Sequence, residues 1–252
     1  MKGFRPLLPI VLLLAASVAL SAAPLQNACM RTQAAIAALL LASALAVRAI
    51  QTAAPGDWRP LYDGKSLAGW RESDFIGAGK VTVRDGVITI GTGYLTGISW
   101  AGETLPFPAA GYEVLVEAMR VKGGDFFAGI TFPVRDSYCT WINGGWGGEV
   151  VGLSSIDGAD ASMNETTFNR RFDLGRWYTL RLRVTPDAIT AWIDGELAID
   201  FKIGNHWIAL REGEIVHSVP FGIATYGTVG AVRKIEWRPV ASAAARDRPP
   251  KR

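Results

Sequence analysis

Residues 177–201 read WYTLRLRVTPDAITAWIDGELAIDF, and their alternation decides the fold class. Tyr178, Leu180, Leu182 and Val184 alternate with Thr179, Arg181 and Arg183. A period of two places the apolar set on one face of a strand. Thr185-Pro186-Asp187 interrupts the run with turn chemistry. Ile189, Ala191 and Ile193 then alternate with Thr190 and Trp192. Asp194-Gly195 offers the two positive-φ residues of a tight hairpin, and Glu196 to Phe201 returns as a third strand. Such a meander has one apolar face, which needs a second layer to cover it.

The rest of the chain offers that layer. An Asp85-Gly86 turn joins strands over 80–84 and 87–90. Further strands are expected over 112–121, 126–132, 138–142, 150–156, 221–226 and 232–237. No stretch after residue 57 keeps a helical period. Many short strands with turn signals between them argue for an all-β sandwich or jelly roll of two antiparallel sheets. No repeat or linker divides residues 55–240, and one domain of that length can bury a core.

Two N-terminal stretches look like helical export leaders. Residues 1–23 carry Lys2 and Arg5, an apolar run, and Ser21-Ala22-Ala23 as a cleavage site. Residues 30–49 repeat the plan from Arg31 to Ala49. Residues 1–50 therefore read as a signal peptide or leader, with Met30 as an alternative start. The competing reading is a membrane tether through residues 33–47, which is short for a span. An exported protein, periplasmic or extracellular, is expected. Residues 241–252 read as a disordered basic tail.

The formal net charge of +3 resides in those ends. Residues 51–240 hold 18 basic and 22 acidic residues, a net of −4. That balance gives no electrostatic case for nucleic acid. Beyond the leader, Cys139 stands alone, so neither a disulfide framework nor a cysteine metal cluster is available. His206 and His217 are the two histidines, and no nucleophile elbow or phosphate loop occurs.

A family resemblance rests on several landmarks. Residues 58–70, WRPLYDGKSLAGW, resemble the opening motif of the 3-keto-disaccharide hydrolase domain family. Asp85-Gly86-Val87, the strand from Gly111, Gly175-Arg176-Trp177 with Trp192-Ile193-Asp194-Gly195, and the closing pair from Val219 and Val232 follow in order. The resemblance covers residues 57–240. It implies a concanavalin A-like jelly roll, related to laminin-G folds, that acts on carbohydrate. The middle, residues 123–171, departs from the usual family pattern and suggests a compact subgroup.

That middle collects the chemistry. Trp141 and Trp146 are flat faces for a pyranose ring, or else inter-sheet core. Asp125, Glu149 and Asn164 are expected as hydroxyl partners in substrate binding. Asp157, Asp160 and Glu165 are the catalytic candidates, and the same oxygens suit calcium or magnesium as a possible divalent cation. The competing reading of Asp157-Gly158 is a plain hairpin turn. Elimination from a 3-keto sugar, as the resemblance implies, needs a base, a proton donor and a group that polarises the ketone. Three functions stay open: a glycoside hydrolase or lyase on 3-keto-disaccharides, a non-catalytic carbohydrate-binding module, and a laminin-G-like protein interaction domain.

Overall fold

The computed structural model describes residues 57–102 and 104–240. The leader, the tether over 33–47 and the tail over 241–252 lie outside the described residues. No helix among the described residues is long and apolar enough to cross a membrane.

The described residues form fifteen strands: β1 (Arg59–Pro60), β2 (Trp70–Glu72), β3 (Val81–Arg84), β4 (Val87–Ile90), β5 (Leu95–Trp100), β6 (Tyr112–Lys122), β7 (Gly129–Val134), β8 (Ser137–Gly145), β9 (Val150–Ser154), β10 (Phe168–Asn169), β11 (Trp177–Val184), β12 (Ala188–Ile193), β13 (Glu196–Lys202), β14 (Gly222–Tyr226) and β15 (Val229–Pro239). A short 3-10 turn covers Glu214–Ser218. The strands form two antiparallel sheets. Sheet A runs β13-β12-β11-β6-β15-β4-β3, with β1 on β15. Sheet B runs β10-β9-β8-β7-β14-β5-β2. The expected meander is β11 to β13, and β11 pairs with β6 through Leu180 opposite Val116.

Alternation explains sheet A. The inner residues of β11 and β12 are buried, and Thr179, Arg181, Arg183, Thr190 and Trp192 stand on the other side. Glu113 on β6 is also on that outer side, yet it is fully buried. Arg183 and Arg238 each donate two hydrogen bonds to it at 2.5–2.6 Å. Arg181 and Arg183 stack on Trp192 at 3.9 and 5.2 Å. This layer of stacked cations over a paired acid closes the outer face of sheet A.

Sheet B is different. Strand β7 is buried at every position. Ile98, Ile130, Phe132, Trp141, Leu153 and Ile223 face sheet A in the main core. Phe75, Leu95, Phe126, Ile142, Ala161 and Ala224 form a second apolar cluster, to which Ile215 and Tyr226 add. Within β8, Trp141 belongs to the first cluster and Ile142 to the second, so the sheet is buried on both faces.

The Asp194-Gly195 turn takes φ of 52° and 85°. A Cβ at Gly195 would meet nothing within 4 Å, so its constraint is the backbone angle alone. Gly195→Val should therefore lower stability by about 1–3 kcal/mol in denaturant unfolding. An unchanged midpoint would contradict the turn's role in the meander.

Candidate functional site

The outer cluster of sheet B is the floor of a groove of ≈ 480 Å³. Leu95, Thr140, Ile142 and Ser154 reach it from three strands. Tyr94 and Tyr226 make one wall, with ring centroids 4.8 Å apart. Trp146 also belongs to the lining, with the Arg211 guanidinium 5.6 Å over its ring. The segment from Arg211 to Ile215 completes the rim and brings Glu212 and Glu214. Asp125 adds a third carboxylate. An apolar floor with a few polar groups converging on it is the usual form of a ligand site.

Trp146 is held by a buried cation. The tip 144–148 is Gly-Gly-Trp-Gly-Gly, and Trp146 itself has φ of 46°. Arg120, at the end of β6, is only 6% exposed. Its Nη2 donates to the carbonyls of Gly144 (3.1 Å) and Gly148 (2.7 Å), and its Nη1 to that of Phe172 (3.4 Å). A Cβ at Gly144 would stand 2.2 Å from Nη2, so glycine alone lets the guanidinium in. Burial pushes the Arg120 pKa down, with Asp125 pulling it back up. Asp125 accepts from the amides of Phe126 (2.7 Å) and Gly147 (3.2 Å), which fixes the other side of the tip.

Tyr226 and Tyr94 are hydrogen-bonded to each other. That bond, followed by partial burial, raises the Tyr226 pKa. The Tyr226 phenol lines the groove beside Tyr94.

The expected catalytic trio is divided between two places. Asp157 and Glu165 meet at His206, through Nδ1 at 2.6 Å and Nε2 at 3.4 Å. Asp160 accepts from the Ser162 amide (2.9 Å) and hydroxyl (2.6 Å), and its other oxygen lies 3.8 Å from Arg211. The Asp157-Gly158 pair is a turn, with φ of 51° and 80°. A divalent cation does not fit these oxygens. Asp157 is taken up by His206 and by the Trp207 amide, and Asp160 faces hydroxyl, amide and guanidinium donors. No group of three His, Cys, Asp or Glu among the described residues is placed to hold a metal.

The substrate-binding expectations divide as well. Asp125 and Trp146 line the groove. Trp141 is fully buried between the sheets and offers no face to a sugar. Glu149 is exposed and lies 4.0 Å from Arg171, outside the groove lining. Asn164 is a staple of the 153–167 segment. Its amide donates to the carbonyls of Leu153, Ala159 and Asp160, and its oxygen accepts from Thr166. Those bonds exhaust its capacity for a ligand.

Sequence reasoning missed Tyr94, Tyr226, Arg211 and Glu212. Each belongs to a loop or strand end with no motif, and only the sheet brings them together. One weak signal existed: Arg211-Glu212-Gly213-Glu214 is a charged run containing a glycine, directly before the closing pair.

Two predictions follow from this wiring. Asn164→Ala should cost about 1–3 kcal/mol, because several buried carbonyls lose their donor at once. Unchanged unfolding would mean the staple is dispensable. The second concerns pH. The Asp157 bond raises the His206 pKa, with Glu165 contributing further, and the same bond holds Asp157 below its ordinary value. Stability from His206 is full below about pH 6.5 and fades as pH rises through its raised folded value. Stability from Asp157 is present above about pH 4 and fades as pH falls through its lowered folded value. His206→Gln should thus lower the melting temperature most near pH 5–6, with the difference shrinking toward pH 9. Parallel curves for the two proteins would rule out the linkage.

Comparison with known proteins places the chain. Among solved structures, the Crh5 transglycosylase in complex with NAG superposes with a TM-score of 0.50 at 14% identity, covering 74% of this chain and 86% of that one. The carbohydrate-binding module CBM66 from Bacillus subtilis gives 0.45 at 12% identity, covering 68% and 95%. Domain 4 of AbnA, an extracellular arabinanase from Geobacillus stearothermophilus in complex with arabinotriose, gives 0.45 at 12%, covering 70% and 84%. The likeness to the transglycosylase, at 14% identity, concerns the fold alone, and the two antiparallel sheets make a concanavalin A-like jelly roll. No curated protein sequence matches the chain. Residues 57–238 match the family described as the 3-keto-alpha-glucoside-1,2-lyase-like domain, and the chain belongs to that family.

Proposed function

We propose that the groove on the outer face of sheet B binds a 3-keto-glycoside and cleaves it by elimination across C1 and C2. The observation that carries this reading is the set of groups over one apolar floor. Trp146 and the tyrosine pair offer stacking faces, Glu212 a carboxylate, Arg211 a cation and Tyr226 a protonated hydroxyl. Membership of the 3-keto-alpha-glucoside-1,2-lyase-like family supports this choice of sugar class.

The roles follow from partners already assigned. Asp125 is spent on two backbone amides, and Glu214 accepts from the Ile76 amide at 2.9 Å. Among the described residues no hydrogen bond or ion pair engages the Glu212 carboxylate, which leaves it as the base. The C3 ketone makes the C2 hydrogen acidic. Glu212 takes that proton, and the electron pair forms an enolate whose C3 oxygen is stabilised by Arg211. The enolate then reforms the ketone, a C1–C2 double bond appears, and the C1–O glycosidic bond breaks. The departing oxygen takes the Tyr226 proton, and solvent later moves the proton from Glu212 back to Tyr226. Water adding across the double bond converts the outcome to net hydrolysis.

Glu212→Gln should preserve folding and lower turnover of a 3-keto-disaccharide by about 10²-fold or more. Trp146→Ala should weaken binding by about tenfold, the scale of one lost aromatic face. Intact turnover in Glu212→Gln together with lost sugar binding in Trp146→Ala would make the groove a binding module. If neither change alters any sugar interaction, the groove reading is wrong.

A further inference from the structure

Nine tryptophans fall within the described residues, and most are buried or half-buried against the sheets or under arginines. Two are exposed: Trp146 at 41% and Trp207 at 66%. Trp146 lines the groove, whereas Trp207 lies outside its lining. The Trp207 indole presents a flat apolar face to solvent.

Trp207 stands on a rigid backbone. Its amide donates to Asp157 Oδ1 at 2.8 Å, and its carbonyl accepts from the Asp157 amide at 2.8 Å. His206 beside it is bonded to Asp157 Oδ2 at 2.6 Å. Gly158 sits near the indole edge: a Cβ there would be 4.0 Å from Trp207 Cζ3. The next residue, Ile208, bridges Ile156 and belongs to the main core. Side chains alternate along an extended chain, so Trp207 and Ala209 point away from that core. Two residues beyond Ala209 is Arg211, on the groove rim.

The placement relative to the floor is set by β9. Ser154, its last residue, lines the groove. Asp157, which carries Trp207, lies three residues further along, and Asp160 beyond the same turn is 3.8 Å from Arg211 on the groove rim. Trp207 thus stands on the segment that leads to the rim while lying outside the groove lining itself.

We propose that Trp207 is a distal sugar subsite, so that the groove takes an oligosaccharide rather than a disaccharide alone. The proposal rests on the groove being the sugar site. Asp157, His206 and Glu165 then have a shared task that is not chemistry: they fix the platform, and their outward atoms lie within reach of ring hydroxyls. The apolar face of a pyranose would cover the indole, as aromatic faces commonly accept apolar ring surface.

The test compares hexasaccharides with their disaccharides in α-1,4, β-1,4 and β-1,3 glucan series, by calorimetric titration of the intact protein. At least one hexasaccharide should bind about tenfold tighter than its disaccharide. Trp207→Ala should abolish that gain and leave the disaccharide affinity in place, while Trp207→Phe should keep most of it. The indole is largely exposed, so folding is not at stake, and the melting temperature checks that. If no series shows a length effect, or if the effect survives Trp207→Ala, the subsite does not exist. The groove reading fails by a separate sign, disaccharide binding that Trp146→Ala leaves unchanged.

Discussion

The constraint on which this structure depends is that sheet B is buried on both faces. Its inner side chains have to meet sheet A, as in any sandwich. Its outer side chains, Leu95, Ile142 and Ala224 with Phe75 and Phe126 above them, form a second cluster that sheet A does not reach. Something else has to shield that cluster from water. The segment 211–218 does so in part, through Ile215 and its tie to Ile76. What remains open is the groove. Sheet A avoids the problem by facing water with arginines stacked on tryptophans over a buried glutamate.

A second constraint is local. A glycine-rich tip has little intrinsic order, since glycine loses more freedom on folding than any other residue. The Arg120 guanidinium provides the order from beneath by collecting the carbonyls of Gly144, Gly148 and Phe172. Fixed in this way, Trp146 becomes a defined wall. The same logic governs the neighbouring segment, where Asn164 and Asp160 consume their hydrogen-bonding capacity on backbone and on Ser162. Carboxylates that look abundant in a sequence can be wholly committed to loop geometry.

These two constraints explain what the residues could and could not tell. The meander β11 to β13 was legible because each strand has one wet face, which writes a period of two into the chain. Strands β7 to β9 are buried on both sides and carry no such alternation, so the expected strand over 126–132 proved to be Gly129–Val134. Strands β1, β2, β5 and β10 were not anticipated at all. The family landmarks lie mostly on the turns and strands of the framework and marked the fold well. Within the site, Asp125 and Trp146 were visible as an acid and an aromatic in a Gly-rich stretch. Of the two readings of Trp141, the structure takes the inter-sheet core, because five residues before Trp146 it lies inside a strand whose odd positions face the core. Tyr94, Tyr226, Arg211 and Glu212 were invisible, since only the pairing of β14 with β5 and the return of the 211–215 segment bring them near one another.

The most direct measurement is a crystal structure of the Glu212→Gln protein soaked with a 3-keto-disaccharide. The expected result is sugar density over Ile142, between Trp146 and the Tyr94–Tyr226 pair, with the C3 oxygen toward Arg211. Density at His206 between Asp157 and Glu165, with an empty face on sheet B, would contradict the assignment of the site.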